Sequence, residues 1–192
     1  MSSTTFSGPV TSTNGFIGDI TGATQTTMTA GTGITTGVGT VANSNVIQIG
    51  GLIYTTVLMD LTGLNSSTSD LDVIGVDGTA LVCHWGQITT AVNGTLIGGT
   101  LACYETPAGG VTDIDFYSAT VGTAVESDGI AALDEQALYA KGSAAAGAVA
   151  TKTALTNLPR ANDYLYVCTG TTGTAAKYTA GIFVLELVGI PA

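Results

Sequence analysis

Turn signals punctuate this chain at intervals of about 8 to 12 residues, a spacing that leaves room for short strands and little room for helices. Asn65-Ser66-Ser67-Thr68-Ser69, Asp77-Gly78, Asn93-Gly94 and Pro107 with Gly109-Gly110 are the clearest breaks. The runs between them are rich in Val, Ile and Thr, whose branched side chains pack well on a pleated surface. Val46-Ile47-Gln48-Ile49 passes through Gly50-Gly51 into the apolar run over 52–61, which reads as a central strand. Further short strands are expected at 71–74, 80–85, 88–92, 95–97 and 101–105. The segment 111–117 alternates most cleanly, with Ile114 and Phe116 on one side and Asp113, Asp115 and Tyr117 on the other. That is the pattern of a half-buried strand. Two strands, at 163–168 and 178–188, complete the set. The second carries Ile182, Val184 and Val188 on one face and Phe183, Leu185 and Leu187 on the other. It therefore calls for cover on both faces, from a second sheet or from a neighbouring subunit.

One helix is expected, at about 129–140. Ser127 or Asp128 can cap it, Ile130, Leu133, Ala137 and Leu138 share a stripe, and Lys141-Gly142 closes it. The total of about eight to ten strands predicts an all-β fold, a β-sandwich or jelly-roll-like domain, with a barrel as the alternative. The predicted domain covers residues 44–192. Residues 1–43 read as an extended Gly/Thr-rich N-terminal arm, since Met28, Ile34 and Val38 are thinly scattered among small residues. Such an arm is expected to gain order against a partner.

Composition narrows the function. Hydrophobic residues make up 45% and charged residues 9%, the reverse of the balance that keeps a chain disordered. Four basic against fourteen acidic residues give a net charge of -10. Only Lys141, Lys152, Arg160 and Lys177 could meet a phosphate, so neither nucleic acid nor an anionic membrane surface is an expected partner. So few charges leave the surface to Thr, Ser, Asn and Gly, or to cover by neighbours. The apolar runs fall well short of the roughly 18 residues a membrane helix needs. Met1-Ser2-Ser3-Thr4-Thr5 lacks the basic and apolar parts of a signal peptide, so synthesis inside the cell is expected. The sequons Asn65-Ser66-Ser67 and Asn93-Gly94-Thr95 then read as chance matches.

No constellation for catalysis stands out, and no catalytic, cofactor-binding or metal residue is assigned. His84 is the only histidine, and Cys83 and His84 face opposite sides of an extended segment, so a zinc site is not expected. Cys83, Cys103 and Cys168 sit in apolar runs and read as buried thiols; a Cys83–Cys103 bridge is the alternative. Asp113 with Asp115, and Asp70 with Asp72, lie on shared strand faces. A calcium-type oxygen cluster is conceivable there, but a solvated strand face is the simpler reading. Gly31, Gly33, Gly37 and Gly39 match neither phosphate-binding fingerprint and are followed by no lysine. No cofactor is expected.

The two ends carry a resemblance. Phe6-Ser7-Gly8-Pro9-Val10-Thr11-Ser12-Thr13-Asn14-Gly15-Phe16 with its Thr/Gly-rich sequel, and Ala180-Gly181-Ile182-Phe183-Val184-Leu185-Glu186-Leu187, resemble the opening and closing segments of small virion structural proteins of tailed bacteriophages. The resemblance implies a capsid decoration, or cement, protein made in the host cytoplasm. It would be bound to the major capsid protein on the outer capsid surface, as a homotrimer, and without catalysis. Two other readings compete. A tail-associated or surface carbohydrate-binding module would present Tyr104, Tyr117, Tyr164 and Tyr166 as a platform, and a hydrolase would set His84 beside a hydroxyl or thiol.

Overall fold

The computed structural model describes residues 25–36, 39–40, 42–77, 81–140 and 151–192. The Phe6–Phe16 segment, Gly37, Gly78 of the Asp77-Gly78 turn, and the Lys141-Gly142 cap lie outside the described residues. The described chain is all-β and sandwich-like. Its larger sheet has six antiparallel strands in the order β1 (Gln25–Thr26), β4 (Ala42–Ile49), β5 (Leu52–Asp60), β11 (Ala180–Ile190), β6 (Thr95–Ala108) and β9 (Thr153–Ala154). The smaller sheet has three, in the order β10 (Tyr164–Thr169), β7 (Ile114–Ala119) and β8 (Glu135–Tyr139). A short pair, β2 (Thr35–Thr36) and β3 (Gly39–Thr40), stands apart.

Local chemistry sets the central hairpin. Ile49 pairs with Leu52, so Gly50 and Gly51 alone make the turn, at φ of +61° and +82°. Two successive left-handed residues are cheap only for glycine. The core lies between the sheets: Val57, Met59, Leu101, Phe183, Leu185 and Leu187 come from the larger one. Phe183 meets Phe116 of β7 edge-on at 5.0 Å.

The free edge of β10 is occupied by loop rather than by a regular strand. Leu71 N donates to Thr169 O, Ile74 N to Val167 O, and Trp85 N to Leu165 O, each at 2.8 to 2.9 Å. The expected strand at 71–74 and the described part of the one at 80–85 are thus extended backbone in the right place, without a continuous ladder.

Four expectations need correction. The expected helix at 129–140 is a single 3₁₀ turn, Ile130–Ala132, followed by β8 paired with β7. Asp134, at φ +53°, turns the chain out of the helical path, and the edge of β7 supplies hydrogen bonds that outweigh helix propensity. The one α-helix among the described residues, α1 (Thr90–Asn93), lies where a strand was expected. Thr89 caps it through Oγ1, which accepts from Val92 N, while Asn93 Oδ1 accepts from Thr89 N. The strand over 111–117 is not half-buried: every residue of β7 is buried.

Of the arm expected at 1–43, Gln25–Thr26 joins the six-stranded sheet as β1, residues 31–34 pack on the chain at 82–84, and β4 begins at Ala42. Gly31 N and Gly33 N each donate at 2.7 Å, to His84 O and Val82 O, and Ile34 is fully buried. A Cβ at Gly31 would stand 2.2 Å from Val82 O, so the glycines there permit two backbones to lie flush.

Candidate functional site

The outward face of the larger sheet is the most unusual surface of the molecule. Alternation along β5 sends Ile53, Thr55, Val57 and Met59 inward and Tyr54, Thr56 and Leu58 outward. On β11, Phe183, Leu185 and Leu187 are buried, while Ile182, Val184, Glu186 and Val188 turn outward and are half-buried. The register then sets Tyr54 beside Val188, Thr56 beside Glu186 and Leu58 beside Val184. Tyr54 is 42% exposed, Leu58 38% and Tyr104, at the β6 bulge, 48%. Among the described residues, no layer covers this apolar stripe. Monomeric proteins seldom leave contiguous apolar surface of this kind without a use for it.

The stripe has relief. Gly98 lies opposite Val188, and a Cβ there would meet nothing within 4 Å. The missing side chain opens a hollow of about 540 Å³ bounded by Tyr54, Thr100, Lys152, Glu186 and Val188. Lys152 and Glu186 form an ion pair on its rim, and Thr100 Oγ1 donates to Glu186 at 3.3 Å. A half-exposed pair of this kind adds little to stability. It does place one fixed polar mark in an otherwise apolar field.

The residues singled out from the sequence distribute as follows. Cys83, Cys103 and Cys168 are buried, and none forms a disulfide, so the Cys83–Cys103 bridge is not made. Burial pushes the Cys83 thiol up to about 12 and raises that of Cys168 well above its usual value. Such thiols are poor nucleophiles.

His84 is half-buried, and burial lowers its pKa. Its Nδ1 is enclosed and makes no hydrogen bond, and its ring lies 4.8 Å from that of Tyr164. Among the described residues, no hydroxyl or thiol is hydrogen-bonded to that nitrogen. Asp113 and Asp115 converge on Gly170, where a Cβ would stand 2.9 Å and 3.2 Å from their carboxyl carbons. Asp115 is buried, which corrects the solvated-face reading. Among the described residues, no group of three or more His, Cys, Asp or Glu is arranged to hold a metal ion. Asp72 accepts from Ser67 Oγ at 2.5 Å.

Asn93 is fully buried, with Nδ2 donating to Thr55 Oγ1 at 2.9 Å, so its sequon is closed to modification in the folded chain. The tyrosine platform is not formed. Tyr117 and Tyr166 are buried, and Tyr104 and Tyr164 belong to different sheets.

Sequence reasoning missed the Lys152–Glu186 pair and the polar latch at Asp163. This buried carboxylate accepts from Ser118 Oγ at 2.7 Å and from Arg160 Nε at 3.0 Å. Nothing in their spacing signals either one. The apolar outward positions of β5 and β11, by contrast, were legible as an excess of apolar residues over what one core can take. Compared with known protein families, characterised proteins and solved structures, the chain matches none.

Proposed function

We propose that this chain is a structural virion protein, a decoration or cement protein that binds and stabilises the capsid lattice. The supporting observation is the open apolar face of the six-stranded sheet, with Tyr54, Leu58 and Val184 at its centre. Burying such a face against another subunit gains free energy in proportion to the apolar area removed from water. A surface so poor in charge is also better suited to standing contacts than to free diffusion at high concentration.

In this reading the partners are the major capsid protein and further copies of the chain, arranged as a homotrimer on the outer capsid surface. Its action is mechanical. The sandwich bridges adjacent capsomers and spreads internal pressure over more contacts. No catalysis is involved.

Quantitative mass spectrometry of purified particles tests the proposal. A copy number near one per shell subunit is the expected result. A few copies per particle would move the protein to a tail or vertex, and its absence from particles would overturn a virion role.

A further inference from the structure

A second hollow shares no lining residue with the one at Gly98. It opens between the segment 27–32 and the chain that runs from Val82 into α1, and its volume is about 430 Å³. That lies in the lower part of the range of about 300 to 1,000 Å³ usual for small-molecule sites. Thr29, Thr32 and Thr89 contribute hydroxyls to its lining, Gln87 an amide, and His84 and Tyr164 their rings, beside the apolar side chains of Met28, Val82 and Val92. Among the described residues, no charged side chain lines it. We propose that this hollow binds a neutral polyhydroxylated ligand, a sugar.

The chemistry of the lining selects that class. A threonine hydroxyl both donates and accepts, as a sugar hydroxyl does, so several threonines can satisfy a ring of hydroxyls in either sense. Gln87 Nε2 donates to Asn162 O at 3.0 Å, which leaves the amide oxygen as an acceptor. The enclosed Nδ1 of His84 has no partner. A proton there would be a stranded donor, so the cheaper tautomer carries it on Nε2 and offers a donor from the other edge of the ring. Burial keeps the imidazole neutral, consistent with a neutral ligand. Tyr164 adds an apolar ring face against which sugar C–H groups can pack. A charged ligand would find no counter-ion among the described lining residues, and an anion would also meet the chain's net charge of -10.

His84, as the only histidine, gives the test a single reporter. Its imidazole NMR signals in the full-length chain are followed during titration with glucose, galactose, mannose and N-acetylglucosamine. Glucose 6-phosphate and N-acetylneuraminic acid serve as charged controls. At least one neutral sugar is expected to shift the signals saturably in the millimolar range, and the charged controls to leave them in place. Thr29 and Thr32 are exposed, so the double variant Thr29→Val/Thr32→Val keeps the fold. It is expected to weaken binding by about tenfold or more, the equivalent of one or two lost hydrogen bonds.

Signals unmoved by every neutral sugar overturn the proposal. Equal response to the charged controls, or undiminished binding in the double variant, does the same. None of these results bears on the lattice role, which rests on Tyr54, Leu58 and Val184, none of which lines this hollow.

Discussion

β7 and β11 are neighbours across the core and opposites in design. β7 carries Asp115, Tyr117 and Ser118 among its six residues, yet all six are buried. β11 is apolar on both sides over most of its length, yet only one of its faces is buried. The polar strand lies inside with its backbone paired on both sides, by β10 and β8, and with Ser118 reaching the carboxylate of Asp163. The apolar strand is half outside because, among the described residues, no third layer covers it. Hydrophobicity along a strand thus reports how much cover a sequence can use, while the cover it receives within one chain depends on what lies above it. In β11 the two differ, and the difference is the surface we assign to assembly.

The buried polar side of this comparison can be broken most severely at Asp163. Asp163→Ala removes the acceptor of Ser118 and the partner of Arg160 Nε, leaving the fully buried Ser118 hydroxyl unsatisfied. A loss of about 3 kcal/mol in unfolding free energy is expected, measured by urea denaturation. Adding Ser118→Ala should cost less than it does alone, because the stranded hydroxyl is gone. Strict additivity of the two changes would mean that the latch does not act as a unit.

Alkaline pH sharpens the same contrast. Burial pushes Cys83 and Tyr117 up to about 12, and raises Cys168, Tyr166 and Tyr178 as well. The folded chain holds these protons at a pH where the unfolded chain has released them. The resulting stability is fully present below the ordinary thiol value of 9.0 and is lost as pH rises toward the folded value of about 12. Each such thiol should lower stability by about 1.4 kcal/mol per pH unit in that window. Denaturation curves at pH 8 and above should show this decline, and Cys83→Ala should flatten it. A stability independent of pH up to 11 would mean that the thiols on the small-sheet side are open to water.

Much of this was legible in the sequence. The all-β class, the Gly50-Gly51 hairpin and the two closing strands followed from turn spacing and branched residues, which act locally. What failed was decided at a distance. Residues 130–138 have a helical stripe, but Asp134 in a left-handed conformation and the waiting edge of β7 made a strand of their second half. Gly31 and Gly33 looked like the slack of an arm and are the closest backbone contacts of Val82 and His84. The apolar outward residues of the larger sheet could be counted from sequence. Their setting around the Gly98 hollow could not, since it depends on the pairing of β6 with β11.

The smallest expected change in stability carries the most functional weight. Leu58 and Val184 are cross-strand neighbours on the open face, and each can be replaced by threonine, which is branched and favours strands as valine does. If the face is uncovered in the isolated chain, Leu58→Thr/Val184→Thr removes apolar atoms that were already in contact with water. Unfolding free energy should then change by no more than about 0.5 kcal/mol per site. Co-sedimentation with capsid particles should fall by about tenfold or more, because in the complex the same atoms are buried against a partner. The two measurements must diverge. A stability loss of about 2 kcal/mol or more would place Leu58 and Val184 in the chain's own core and erase the contrast between β7 and β11. Unchanged stability with unchanged co-sedimentation would leave the contrast intact and take the face out of the lattice contact.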